Sequence, residues 1–135
     1  MADKKIHLKI VTPEKIVYED DIDFISAKGL KGSFGIYPNH VPFMSTLDTD
    51  IVKTLKDKQE NVFSVIGGIL QFKQNEVVIL TEAAENSKDI DAARAQLAKE
   101  RAEAQLNNAE TALDAKIANA SLARALARLK AASKR

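Results

Sequence analysis

Val77 to Glu100 reads VVILTEAAENSKDIDAARAQLAKE, and the change of pattern inside it decides the fold. Its first four residues are apolar and mostly β-branched, the type that fits a pleated, half-buried surface. From Ala92 onward the same stretch consists of Ala, Arg, Gln, Leu, Lys and Glu, the strongest helix formers. The joint between the two patterns lies near residue 85.

Composition splits at the same place. Through Ala84 the chain holds every Gly (29, 32, 35, 67, 68) and every Pro (13, 38, 42), with four Ala and no Arg. From Glu85 there are sixteen Ala in 51 residues, all five Arg, and neither Gly nor Pro. The formal charge moves from −2 before the boundary to +3 after it, within a total of +1. Residues 1–84 and 85–135 therefore read as two architectures.

Upstream, Ile6, Leu8 and Ile10 alternate with His7 and Lys9 before a Thr12-Pro13 break, as a half-buried strand requires. Short apolar pieces follow at Ile16 to Tyr18, Ile22 to Ala27, Ile51 to Leu55, Val62 to Ile66, Ile69 to Phe72 and Val77 to Leu80. Breakers at Gly29 to Gly32, Asp57 to Glu60 and Gln74-Asn75 separate them. Many short strands with turn chemistry between them predict a β-sandwich or flattened barrel.

Downstream, Ser87 or Asp89 is the expected cap of a first helix reaching about Gln105, because either side chain can accept from the orphan N–H groups of the first turn. Asn107-Asn108 is the weakest helical stretch and the natural turn, and a second helix should run from about Thr111 to Ala132. Ala115, Ala118, Leu122, Ala125, Leu129 and Ala132 recur at helical spacing and face a similar seam of Ala95, Ala98 and Ala102. The fold class is thus α+β segregated: an N-terminal β-sandwich followed by a C-terminal antiparallel α-helical hairpin. Each buried methyl contributes about 0.8 kcal/mol at best, so an Ala seam holds such a hairpin by only a few kcal/mol. A ligand at about 100 times its Kd adds about 2.7 kcal/mol, which is comparable. Binding could therefore open or close it.

Several function classes fall away. The near-zero charge gives no nucleic-acid footprint, and a chain without Cys has no thiolate metal site, disulfide or thiol nucleophile. No apolar run is long enough to span a bilayer, and MADKKIHLKI has no signal-peptide core. Gly29-x-x-Gly32-x-x-Gly35 lacks the Lys-Ser/Thr and the following helix of a phosphate loop, so these read as turn glycines. His40 has no partner at metal-ligand spacing, and nothing orients it with Ser45 and Asp48 as a triad. Glu19-Asp20-Asp21-x-Asp23 lacks the glycine and distal glutamate of a calcium loop and reads as a solvated edge. The chain is expected not to be an enzyme and to require no cofactor. The segment Pro38 to Pro42 is either a structural loop with two rigid corners or a docking surface.

The arginines form pairs: Arg94 and Arg101 are seven apart, Arg124 and Arg128 four apart, so each pair projects from one side of its helix. Folded back, the second pair would approach Arg94 and Asp91, and converging guanidinium groups suit phosphate oxygens. The alternative is ordinary surface arginine balanced by neighbours such as Glu100.

Taken in order, Gly32-Ser33-Phe34-Gly35-Ile36-Tyr37-Pro38-Asn39-His40-Val41-Pro42, then Gly67-Gly68-Ile69-Leu70, then Ile90-Asp91-Ala92-Ala93-Arg94-Ala95 with Arg101-Ala102, resemble the epsilon subunit of bacterial F-type ATP synthases along nearly the whole chain. Asn39 departs from the Gly of many relatives, but Asn also tolerates positive φ. The resemblance implies a non-catalytic central-stalk subunit that couples the gamma subunit to the c-ring during proton- or sodium-driven ATP synthesis. It implies a docking loop drawn from Gly32, Ser33, Phe34, Gly35, Tyr37, Pro38, Asn39, His40 and Pro42. It also implies a mobile hairpin that inhibits hydrolysis at the alpha/beta head. In some bacterial members the Ile-Asp-x-x-Arg-Ala pattern binds ATP, which would carry over to Glu85, Ile90, Asp91, Arg94, Ala95, Arg101, Arg124 and Arg128. Glu85, Ile90 and Asp91 would then meet the base or ribose and the arginines the phosphates, with ATP as a regulatory ligand. The expected location is the cytoplasmic face of the cell membrane, held there peripherally through the complex. Extended, about 45 helical residues would reach about 65 Å, against about 30 Å folded back. The competing reading is a free-standing protein–protein adaptor unrelated to the synthase.

Overall fold

The computed structural model describes residues 4–134, so residues 1–3 and 135 of the two assigned segments lie outside it. Ten strands come first. One layer contains β3 (Phe24–Gly29), β4 (Gly32–Ile36), β6 (Asp50–Lys56), β7 (Gln59–Val65) and β10 (Ala84–Asn86). The other contains β1 (Ile6–Val11), β2 (Ile16–Ile22), β5 (Phe43–Leu47), β8 (Gly68–Lys73) and β9 (Glu76–Leu80). The layers connect through the Gly29–Leu47 pairing of β3 with β5, and β1 lies parallel to β9 while the other pairings are antiparallel. At the junction of β2 and β3 the Asp23 N–H donates to the Leu55 carbonyl of β6 at 2.7 Å.

The inward residues alternate as period-2 strands require: Ile6, Leu8 and Ile10 from β1 meet Val52, Phe63, Val65, Leu70, Phe72, Val77 and Ile79 in one buried cluster. Gly68 sits at φ +115°, where an added Cβ would collide with the Leu80 carbonyl oxygen. At Gly35 an added Cβ would stand 2.6 Å from Cζ of the Phe24 ring.

Four expectations need correction. The piece Ile22 to Ala27 is two strands, because Asp23 turns its carboxylate out to Lys5 at 2.6 Å and breaks the run. β4, β5 and β10 were not expected: β4 carries two Gly, β5 is short and hydroxyl-rich, and the three residues of β10 form a strand only because β7 offers an edge. Helix α1 is Ala92–Asn107, capped by Asp91 rather than by Ser87 or Asp89, which instead form a 3-10 turn capped by Asn86. The helical length is therefore 16 residues in α1 and 21 in α2 (Ala112–Ala132, capped by Thr111), shorter than about 45.

The helices form an antiparallel hairpin in which α2 alone packs broadly on the sandwich, over β6 and β7, while α1 lies outside on α2. Ala95, Ala102, Ala118 and Ala125 are buried along the seam. Ala127 and Ala131 are buried as well, and Ala131 joins Ile51, Val62 and Ile90 in a second small cluster. Val52 and Phe63 face the sandwich core while their neighbours Ile51 and Val62 face the hairpin. The sandwich core is thus separate from the small cluster that joins the hairpin to it.

Candidate functional site

Where β10, the 3-10 turn, the start of α1 and the last turns of α2 meet, a cavity of about 790 Å³ opens. Seven of the eight residues expected there line it: Glu85, Ile90, Asp91, Arg94, Ala95, Arg101 and Arg128. Arg124 does not. Its Nη2 donates to Ser121 Oγ at 3.0 Å, and it lines another cavity of about 780 Å³ beside Val11, Pro13, Ile66 and Leu80. Arg124 and Arg128 leave α2 on one face, but Arg124 is held back to Ser121 one turn earlier while Arg128 is drawn to Glu85, so the two side chains enter different cavities.

Most of the Ile90-to-Ala95 motif also has a structural duty. Ile90, 4% exposed, plugs the cluster between hairpin and sandwich. Asp91 Oδ1 accepts from the Arg94 backbone N–H at 3.1 Å as the helix cap. Ala95 is buried in the seam, where a larger side chain would part the helices. That leaves Arg94, on an exposed position, as the motif residue whose side chain is turned to the cavity without such a duty. Opposite it, Arg128 Nε donates to Glu85 Oε1 at 2.6 Å and ties α2 to β10. Three guanidinium groups from two helices therefore share one cavity with the carboxylates of Glu85, Asp89 and Asp91.

The expected docking loop is partly strand: Gly32 to Ile36 form β4, and the loop proper runs over residues 37–42. Phe34 packs edge-on against Phe43 at 4.9 Å, and Tyr37 tilts onto Phe24 at 4.4 Å. Asn39 adopts φ 68°, as a turn at that position needs, and is tied to the β8–β9 turn by its N–H donating to Asn75 Oδ1 at 2.6 Å. His40 lies edge-on to Phe43 and Phe72 with Nδ1 2.7 Å from the Val41 carbonyl. Tyr37, Val41 and Met44 remain well exposed around it. This is a rigid corner with an apolar rim.

Ser45 Oγ donates to the Thr46 carbonyl, and Asp48 accepts from the Thr49 N–H, so neither addresses His40. The acids of β2 are matched across the sheet. His7 stands between Asp21 at 2.8 Å and Glu19 at 2.7 Å, whose carboxylates hold its imidazolium pKa above the ordinary value. Asp20 meets Lys56 at 2.9 Å, and that hydrogen bond lowers the carboxyl's pKa. These cross-strand partners lie far away in sequence, which hid them from a reading of local spacing. Among the described residues no helix is long and apolar enough to cross a membrane.

Comparison with known proteins bears on the same two bodies. The family described as ATP synthase, Delta/Epsilon chain, beta-sandwich domain matches residues 5–87, and the family described as ATP synthase, Delta/Epsilon chain, long alpha-helix domain matches residues 88–133. A protein of Nitratidesulfovibrio vulgaris strain DP4 named ATP synthase epsilon chain is 41% identical over 129 residues, covering 95% of this chain and 96% of that one. The ATP synthase epsilon chain of Halalkalibacterium halodurans is 41% identical over 130 residues, covering 96% and 98%. In fold, the chain is similar to one in the Euglena gracilis mitochondrial ATP synthase, with TM-score 0.83 at 18% identity, over 98% of this chain and 84% of that chain.

Proposed function

This chain belongs to the ATP synthase delta/epsilon chain family, and from that premise we propose that it serves as the non-catalytic epsilon subunit of the central stalk, with a nucleotide-responsive hairpin. Membership sets aside an adaptor unrelated to the synthase. In this reading the sandwich joins the gamma subunit to the c-ring, with the rim of residues 37–42 as its docking corner, and the complex is peripheral to the membrane on its cytoplasmic side.

One observation carries the regulatory part: Arg94 and Arg101 of α1 and Arg128 of α2 converge on one cavity although they come from opposite arms of the hairpin. A triphosphate there would receive donors from both arms, and forked guanidinium donors suit phosphoryl oxygens. Glu85 and Asp91 border the same space and would face the ribose and base. Binding adds attraction across a seam that is mostly alanine, so the folded-back hairpin gains population as ATP rises. Without ATP the arms separate, and 16 and 21 helical residues laid end to end span about 55 Å, against about 30 Å for α2 alone. The extended arm, with Arg124, Arg128 and Lys130, would meet acidic segments of the alpha/beta head and stop hydrolysis.

Calorimetric titration with MgATP tests this reading. Saturable heat at or below millimolar nucleotide is expected, with Arg94→Ala weakening binding by about tenfold or more and Arg124→Ala changing it little. No heat from the unaltered chain would remove the sensor, and an Arg124→Ala loss equal to that of Arg94→Ala would place the nucleotide elsewhere.

A further inference from the structure

The lower end of α2 meets the sandwich in a second, smaller setting that the arginine cavity does not include. A pocket of about 240 Å³ is lined by Lys28 of β3, Lys53 of β6, and Lys130 and Lys134 from the end of the hairpin, with the hydroxyls of Ser26 and Ser33 and one carboxylate, Asp50. Asp50 already serves two of the lysines: Lys130 Nζ lies 2.8 Å from Oδ1 and Lys28 Nζ 3.6 Å from Oδ2. Lys28 also has Asp48 at 3.9 Å outside the pocket lining, whereas among the described residues Lys53 and Lys134 have no carboxylate within 4.0 Å, so four ammonium groups meet two acids. Burial pushes the Asp50 carboxyl pKa up, but Lys130, the Ile51 N–H and Lys28 more than offset it, so the acid stays ionised and holds the lysines in place.

From this arrangement we infer a second anion site, for a phosphoryl group, that bridges sandwich and hairpin through lysines of both. Its volume suits a phosphate or pyrophosphate and not a nucleotide. Two lysines come from each body, so an occupant draws the end of α2 onto β3 and β6. The surplus of positive charge and the two hydroxyls supply donors to a tetrahedral oxyanion. The inference is independent of the ATP reading, because none of these residues lines the arginine cavity.

The test uses the full chain with sodium pyrophosphate as probe, followed by calorimetry and thermal melting, and in parallel phosphatidylglycerol vesicles followed by co-sedimentation. The variants are the Lys53→Gln, Lys134→Gln pair, which leaves the Lys130–Asp50 bridge intact, and Arg94→Ala. Because pyrophosphate can also enter the arginine cavity, the glutamine pair is compared in the Arg94→Ala background, where pyrophosphate should still bind and raise the melting temperature. Binding should weaken by about tenfold or more in the glutamine pair and fade with added salt. If only vesicles bind, and the glutamine pair abolishes it, the phosphoryl group is that of a lipid headgroup. Absence of both interactions at millimolar probe overturns the site. So does binding that the glutamine pair leaves unchanged, or binding that Arg94→Ala removes.

Discussion

Ile90→Ala should loosen the hairpin while leaving the sandwich as stable as before. Ile90 is 4% exposed and touches Ile51 and Val62 of the sheet and Ala131 of α2. The main sandwich interior, from Ile6, Leu8 and Ile10 to Val77 and Ile79, is a different cluster. Trimming a buried Ile to Ala costs about 2–5 kcal/mol, and the lower end applies here because the site borders an open cavity and can relax. A loss of about 2 kcal/mol multiplies the undocked population by about 30. Hydrogen exchange reads this directly: α2 amides near Ala131 should lose protection by about that factor, whereas amides of β1 and β9 keep theirs. Equal loss of protection in β1, β9 and α2 would mean that sandwich and hairpin open as one unit, and the account of a separately attached arm would be wrong.

Three other perturbations follow from particular contacts. Thr54 is 1% exposed and, among the described residues, its Oγ1 has no hydrogen-bond partner, so Thr54→Val should stabilise the chain by about 1 kcal/mol, seen as a higher thermal midpoint. The Asp50–Lys130 bridge should fail in acid: the folded pKa of Asp50 lies below its ordinary 3.8, so its contribution is present above that value and is lost as pH falls through the folded pKa. Protection factors of α2 amides, which correct for the slower intrinsic exchange in acid, should fall more on acidification from about pH 5 in the native chain than in Lys130→Ala, which lacks the bridge to begin with. Gly68→Ala, at φ +115° and against the Leu80 carbonyl, should cost about 2 kcal/mol or more in denaturant unfolding, because the strain and the clash add.

Much of the fold was legible because it rests on local chemistry. The strand alternation at Ile6, Leu8 and Ile10, the breakers at Gln74-Asn75, the start of a second helix near Thr111 and the alanine seam each work within a few residues of chain. The doublets Ile51-Val52 and Val62-Phe63 break the alternation of a one-sided strand, and they mark the place where the sheet is covered on both faces. β4, β5 and β10 were hidden for a different reason, since glycine-rich or very short strands draw their stability from the partner edge and not from their own residues.

By itself the sequence determined that a β body precedes an α body, where they join, and that the arm is held by methyl groups, because periodicity, propensity and side-chain size are properties of neighbouring residues. Only the tertiary structure decided which arginines meet. Helix phase and the docking of α2 on β6 and β7 bring Arg94, Arg101 and Arg128 to one cavity, send Arg124 to another, and set Arg128 against Glu85. Those choices depend on how two helices rotate against each other and against a sheet, and that rotation is fixed by contacts between residues tens of positions apart.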